Sequence, residues 1–234
     1  MTTIGTGRKP SRRPYTHAPY PFGGTVYGVI LNDTESLTSM GAALTKPPHK
    51  APPQAPVLYI KPWNTVVGDG AEITPPAGKT CLEVGGTLAL VMDRAASRLT
   101  LETALDPVAG FTLAADFMVS GADYYRPAIR EKCFDGSCAL GPELVSVDEV
   151  GDPAVLTVKT HVDGTLIHER KLSDMVRSAA QLLVDITEFM TLNPGDVLLT
   201  GVPLGGPIAA MGSDVTVEIE GLGKLTTHIT GDRA

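Results

Sequence analysis

The sequence predicts an α+β fold, mainly β, with one long amphipathic helix packed against the strands. Three observations carry that expectation. Short apolar, β-branched runs recur along the chain. Gly 25 and Pro 19 in 234 residues supply many turn positions. One stretch alone, after Ser173, carries apolar residues at sustained helical spacing.

Residues 1–24 form a basic, proline-rich leader with Arg8, Lys9, Arg12 and Arg13, expected to be flexible or extended. Residues 25–234 are read as a single domain. VYGVIL (26–31) is a first strand, and Asn32-Asp33-Thr34 can cap a helix running to Leu44. KPPHKAPPQAP (46–56) is a stiff loop, followed by the strand VLYIK (57–61). EVGGTLALVM (83–92) is a strand interrupted by Gly85-Gly86, where a bulge or a close approach is expected. Glu83, Gly85 and Thr87 share one of its faces. A short helix is expected from Thr100 to Asp106, and a buried strand over FTLAADFMV (111–119).

Beyond Pro142, AVLTVKTHV and TLIHERKL flank Asp163-Gly164, a strong two-residue hairpin signal. Met175, Val176, Ala179, Leu182, Leu183, Ile186, Phe189 and Met190 then mark the long helix, expected from Ser173 to the Asn193-Pro194-Gly195 stop. VLLTG (197–201) is a buried strand, and VTVEIE and KLTTHI close the chain as a hairpin around Gly221-Leu222-Gly223.

The net charge of −7 argues against general nucleic-acid binding, yet a local cationic pocket can coexist with an acidic surface. Cys81, Cys133 and Cys138 match neither a disulfide framework nor a zinc pattern, so reduced thiols in a cytoplasmic protein are expected. No apolar run reaches the roughly 20 residues of a membrane helix, and the start of the chain lacks a secretory apolar core. Neither a membrane nor a nucleic acid is therefore an expected partner.

The chemistry gathers in AGFTLAADFMVSGADYYRPAIREKCFDGSCALGP (109–142). Asp116 sits in a buried strand, where an ionised carboxylate is costly unless paired, hydrogen-bonded or metal-bound. The following loop offers Arg126, Arg130 and Lys132. An acid on a strand beside several cations suggests a site for a small polyanion. The plainer alternative for each residue is a satisfied structural Asp and solvated loop cations.

AGFTLAADFMV, REKCFDGSCALGPELV, LNPGDVLLTGVP and VEIEGLGKL, in this order, resemble the fumarylacetoacetate hydrolase family over roughly residues 26–230. IKPWNTVVGDG (60–70) with YYRPAIREKCFDG (124–136) is most similar to its members that act as decarboxylase and isomerase in 4-hydroxyphenylacetate (homoprotocatechuate) degradation, specifically to an amino-terminal half standing alone. The resemblance implies a mixed β-roll assembled as a homodimer, or as a heterodimer with a related C-terminal-half subunit. It implies decarboxylation of 5-oxopent-3-ene-1,2,5-tricarboxylate and isomerisation of 2-hydroxyhepta-2,4-dienedioate. Lys132 matches the family's active-site lysine. Arg126, Tyr124, Lys61, Thr200 and Gly201 match its substrate-binding positions.

Family members hold Mg2+ or Mn2+ through a Glu-x-Glu and a later Asp. Here Asp116 matches the Asp, while Gly85 and Thr87 stand where the glutamates belong. Glu83 lies one pleat away, about 7 Å, and a bulge at Gly85-Gly86 would bring it nearer as a substitute ligand. These departures keep two alternatives open: a non-catalytic partner subunit with a degenerate metal site, and an acylpyruvate-type carbon–carbon hydrolase. The hydrolase would need the family's His-Glu pair, and Asn32-Asp33-Thr34-Glu35 lacks the histidine.

Overall fold

The computed structural model describes residues 24–121 and 128–231, together with the backbone of 12–14. The strands are β1 (Arg12–Pro14), β2 (Val26–Ile30), β3 (Val57–Lys61), β4 (Val66–Val67), β5 (Glu72–Ile73), β6 (Cys81–Met92), β7 (Val108–Met118), β8 (Cys138–Val145), β9 (Thr157–Val162), β10 (Thr165–Lys171), β11 (Val197–Leu199), β12 (Ile208–Ala210), β13 (Asp214–Ile219) and β14 (Gly223–Ile229). The α-helices are α1 (Thr34–Met40), α2 (Ile129–Lys132), α3 (Val147–Val150) and α4 (Ala179–Phe189). Among the described residues no helix is long and apolar enough to cross a membrane.

The larger sheet runs β1-β8-β7-β6-β11-β2-β3, with β12 beside β6 and β4 beside β8. It is mixed, because β11–β2 and β4–β8 are parallel while β6–β7 and β7–β8 are antiparallel. The chain leaving β3 at one end of this order pairs again, through β4, with β8 near the other end. The sheet therefore curls on itself. The smaller sheet is β10-β9-β13-β14-β5.

Period-two alternation divides β6 and β7 between two interiors. Leu82, Val84, Leu88, Leu90 and Met92 of β6 join Phe111, Leu113, Ala115 and Phe117 of β7 in the main core, which also holds Val215, Val217 and Leu225 of the smaller sheet and Leu182, Leu183 and Ile186 of α4. The opposite faces carry Ala89, Val91 and Ala114 into a second cluster with Leu140 and Leu199. Burial on both faces explains why these strands read as continuous apolar runs.

Several expectations change. The long helix begins at Ala179, with Ser178 accepting a hydrogen bond from the Gln181 N–H, and spans 11 residues. Leu172–Asp174 instead form a 3-10 turn and Met175 is extended. The helix after Asp33 stops at Met40, where Gly41 turns with φ +45°, and continues as a 3-10 turn. Residues 101–107 are turns rather than a helix, held in part by the Thr100 and Thr103 hydroxyls. The 138–145 segment is a strand that passes through Gly141-Pro142. The β6–β7 register is unbroken through Gly85-Gly86, and the irregularity falls at Val91/Met92. Backbone 12–14 of the leader pairs with β8, while the rest of residues 1–23 lies outside the described residues.

Candidate functional site

Asp116 projects from β7 into the curled sheet, on the face it shares with its register partner Gly85. It is 1% exposed. Its Oδ2 accepts from Lys132 Nζ at 2.8 Å and from Tyr59 Oη at 2.5 Å. Its Oδ1 lies 2.7 Å from Lys61 Nζ, an ion pair outside hydrogen-bond alignment. Burial alone would push this carboxyl up, but the Lys132 and Lys61 charges and their contacts hold it down, at about 2.

The two lysines are fixed differently. Lys61 ends β3, which is separated from β7 by three strands in the sheet order, and the curl brings it across. It donates to Ser137 Oγ at 3.0 Å, to Phe117 O at 3.3 Å and to Lys132 O, so its three N–H groups all have acceptors. Ser137 Oγ in turn donates to Lys132 O at 2.8 Å. Lys132 ends the one-turn helix α2, and its Nζ lies 4.3 Å from the centre of the Tyr59 ring, a cation–π contact. Tyr59 itself crosses over Gly28 of β2. A Cβ there would lie 2.0 Å from the ring, so glycine makes the crossing possible.

The other wall is the turn after β11. Thr200 Oγ1 lies 3.2 Å from Thr87 Oγ1, and Thr200 O accepts from Asn32 Nδ2 at 2.9 Å. Gly201 has φ +136°, and its carbonyl accepts from Arg170 Nη2 at 2.7 Å. Val202 fills the space beside Gly85, 2.5 Å from where a Cβ would be. Burial pushes the Arg170 guanidinium down, offset by the Asp33 and Glu35 charges. The thiols nearby are quiet. Burial raises Cys133 and takes Cys138 up to about 12.

The structure thus brings Lys61, Asp116 and Lys132 into direct contact, and sets Thr200 and Gly201 across Gly85 and Thr87 from them. Glu83 is half-buried opposite Met118, two residues beyond Asp116. Tyr124 and Arg126 lie outside the described residues. Tyr59, Asn32 and Arg170 were missed from sequence. Tyr59 was within reach, since VLYIK places it two residues before Lys61 on the same strand face. Asn32 gives no such signal, because its partners are Thr200 and the backbone of Arg177.

A model of the fumarylacetoacetate (FAA) hydrolase C-terminal family matches residues 25–230. The chain belongs to the fumarylacetoacetate hydrolase family. The homoprotocatechuate catabolism bifunctional isomerase/decarboxylase of Escherichia coli is 39% identical over 210 residues, which are 90% of this chain and 48% of that protein. The chain thus spans about half the length of this relative. The solved structure of 2-hydroxyhepta-2,4-diene-1,7-dioate isomerase from Mycobacterium marinum matches with a TM-score of 0.74 at 28% identity, covering 88% of this chain and 74% of that one. Fumarylpyruvate hydrolase from Pseudomonas aeruginosa, solved in complex with Mn2+ and pyruvate, matches with a TM-score of 0.75 at 25% identity, covering 89% and 90%.

Members of the fumarylacetoacetate hydrolase family thus include one that binds Mn2+, but the residues here do not fit such an ion. Gly85 and Thr87 offer no carboxylates, Val202 fills the space a Gly85 side chain would need, and Thr87 faces Thr200. Asp116 is engaged by two ammonium groups and a phenol. The register leaves Glu83 where straight strand geometry puts it. Among the described residues, no group of three His, Cys, Asp or Glu could hold a metal. The Asn32–Glu35 segment is likewise committed elsewhere: Asn32 bridges loops, and Asp33 caps α1 through the Ser36 N–H.

Proposed function

We propose that this chain decarboxylates 5-oxopent-3-ene-1,2,5-tricarboxylate and isomerises 2-hydroxyhepta-2,4-dienedioate, working with a related subunit. The observation that carries this reading is the buried Lys61–Asp116–Lys132 cluster beside the Thr200 turn. Two ammonium groups against one carboxylate leave one net positive charge in a buried cluster. The likeness to the E. coli isomerase/decarboxylase supports the substrate class, and the half-length match supports a related C-terminal-half partner, with a homodimer as the simpler assembly. The Cys81, Cys133 and Cys138 thiols are free, which suits the cytoplasm.

Both steps run through a dienolate. Loss of CO2 leaves an electron pair that moves through the alkene onto the 2-oxo oxygen, and a fixed cation lowers the energy of that developing charge. Lys132 is the proposed cation and proton carrier. It holds the oxyanion, and during isomerisation the ammonium gives a proton to the carbon skeleton and the resulting amine recovers one from the 2-hydroxyl. Arg126 and Tyr124 are proposed to clamp a terminal carboxylate, since a guanidinium can bind it bidentately. Thr200 and Gly201 would line the pocket. Lys61, enclosed behind Asp116, would add charge without touching substrate. A Mg2+ or Mn2+ requirement belongs, in this reading, to the related subunit.

The test follows the enone and dienolate absorbance with the purified chain, alone and with the related subunit. Lys132→Ala should lower turnover by about 10²- to 10⁴-fold, the usual contribution of acid–base catalysis. The absence of glutamates at 85 and 87 favours a second reading, a non-catalytic partner. Unchanged turnover of the Lys132→Ala pair would establish that reading instead.

A further inference from the structure

We infer that fixed ammonium charge replaces the divalent ion in this chain, so that it binds a 2-oxo carboxylate without a metal. This rests on reading the cluster as the keto-acid site.

A hard cation needs six or more oxygen ligands, and Mg2+ keeps several waters even when bound. Asp116 cannot begin such a shell. Freeing its Oδ1 means displacing Lys61, which is 1% exposed and satisfies Phe117 O, Lys132 O and Ser137 Oγ. Phe117 O would lose that donor, and Lys132 O and Ser137 Oγ would keep only their bond to each other. An entering cation would also face two ammonium groups at short range. The glutamate that could outweigh them has no room at position 85 against Val202.

The same arrangement suits an anion. Lys61 supplies charge that cannot leave. Among the described residues, the Lys132 ammonium donates to Asp116 alone and rests on the Tyr59 ring, which leaves donor capacity for a ligand. Lys132 is also the more open of the two, with 6% of its side chain exposed against 0% for Lys61. One ammonium sets the field and the other makes the contact, a division that a bare metal ion would combine in one atom.

Oxalate, a planar mimic of a 2-oxo carboxylate, is the probe, titrated calorimetrically into the full chain after EDTA treatment. Binding at one site is expected, with an affinity that changes less than about twofold when Mn2+ is added. The Mn2+ should stay free by electron paramagnetic resonance. Lys132→Gln should weaken oxalate binding by about tenfold or more, as loss of a charge-assisted bond predicts, while the circular dichroism is unchanged. Oxalate binding that requires Mn2+, with one Mn2+ bound and then lost in Asp116→Asn, would overturn this inference and leave the keto-acid reading in place. No oxalate binding in either condition would overturn the keto-acid reading, and this inference with it.

Discussion

Two buried cationic groups flank the candidate site, and they are satisfied by different means. Lys61 and Lys132 share a carboxylate whose two oxygens they approach at 2.7 and 2.8 Å. Arg170 is 6% exposed and leans on backbone instead. Its Nη2 donates to Gly201 O at 2.7 Å, while its Nε and Nη1 have no hydrogen-bond partner among the described residues. In the first region charge holds charge. In the second, charge holds a turn in place. The difference teaches that the electrostatic character of the pocket and the shape of its wall are set by separate residues, which can be altered one at a time.

Asp116→Asn should break the first region most severely. Two buried ammonium groups would lose their counter-charge, and a loss of about 3–5 kcal/mol is expected from urea unfolding. The acid limb of stability should sharpen the contrast. The folded-state pKa of Asp116 is depressed, so its contribution is complete above the unfolded value and disappears as pH falls from about 4 to about 2. It amounts to roughly 2 kcal/mol, and the Asn variant should lack this part of the pH profile. Arg170→Met should have the smallest effect. It leaves Gly201 O unpaired but also relieves the burial of a charge, so about 1 kcal/mol of stability is expected to go. Its kinetic signature should be a raised KM for the keto acid as the Thr200 turn loosens. An equal fall in KM and kcat would count against that division of roles.

Most of the longer strands were legible because their signals are local, whereas the two- and three-residue strands β4, β5 and β12 carry no such signal. Asp163-Gly164 forms the expected hairpin turn, with φ +51° and +76°, both in the region that two-residue turns demand. β8 was not legible, because Gly141-Pro142 reads as a break, and only the pairing of Leu140 and Gly141 with β7 shows that the strand continues. The helix start was misplaced because Met175 and Val176 fit helical spacing by coincidence. The backbone around them is held by Asn32, whose carbonyl accepts from the Val176 N–H and whose side chain accepts from the Arg177 N–H. In the site, Asp116 and Lys132 stood out as a charge in an apolar strand and cations in the next loop. That Lys61 joins them depends on the curl of the sheet, and no spacing in the sequence encodes a contact across three intervening strands.

The Lys61 ammonium also ties the end of β3 to the backbone at Phe117 and Lys132, on the far side of the roll. One nitrogen is therefore both seam and charge source. A lineage that drifted away from this lysine would loosen that seam in the same step that discharged the interior, so the two traits would change together.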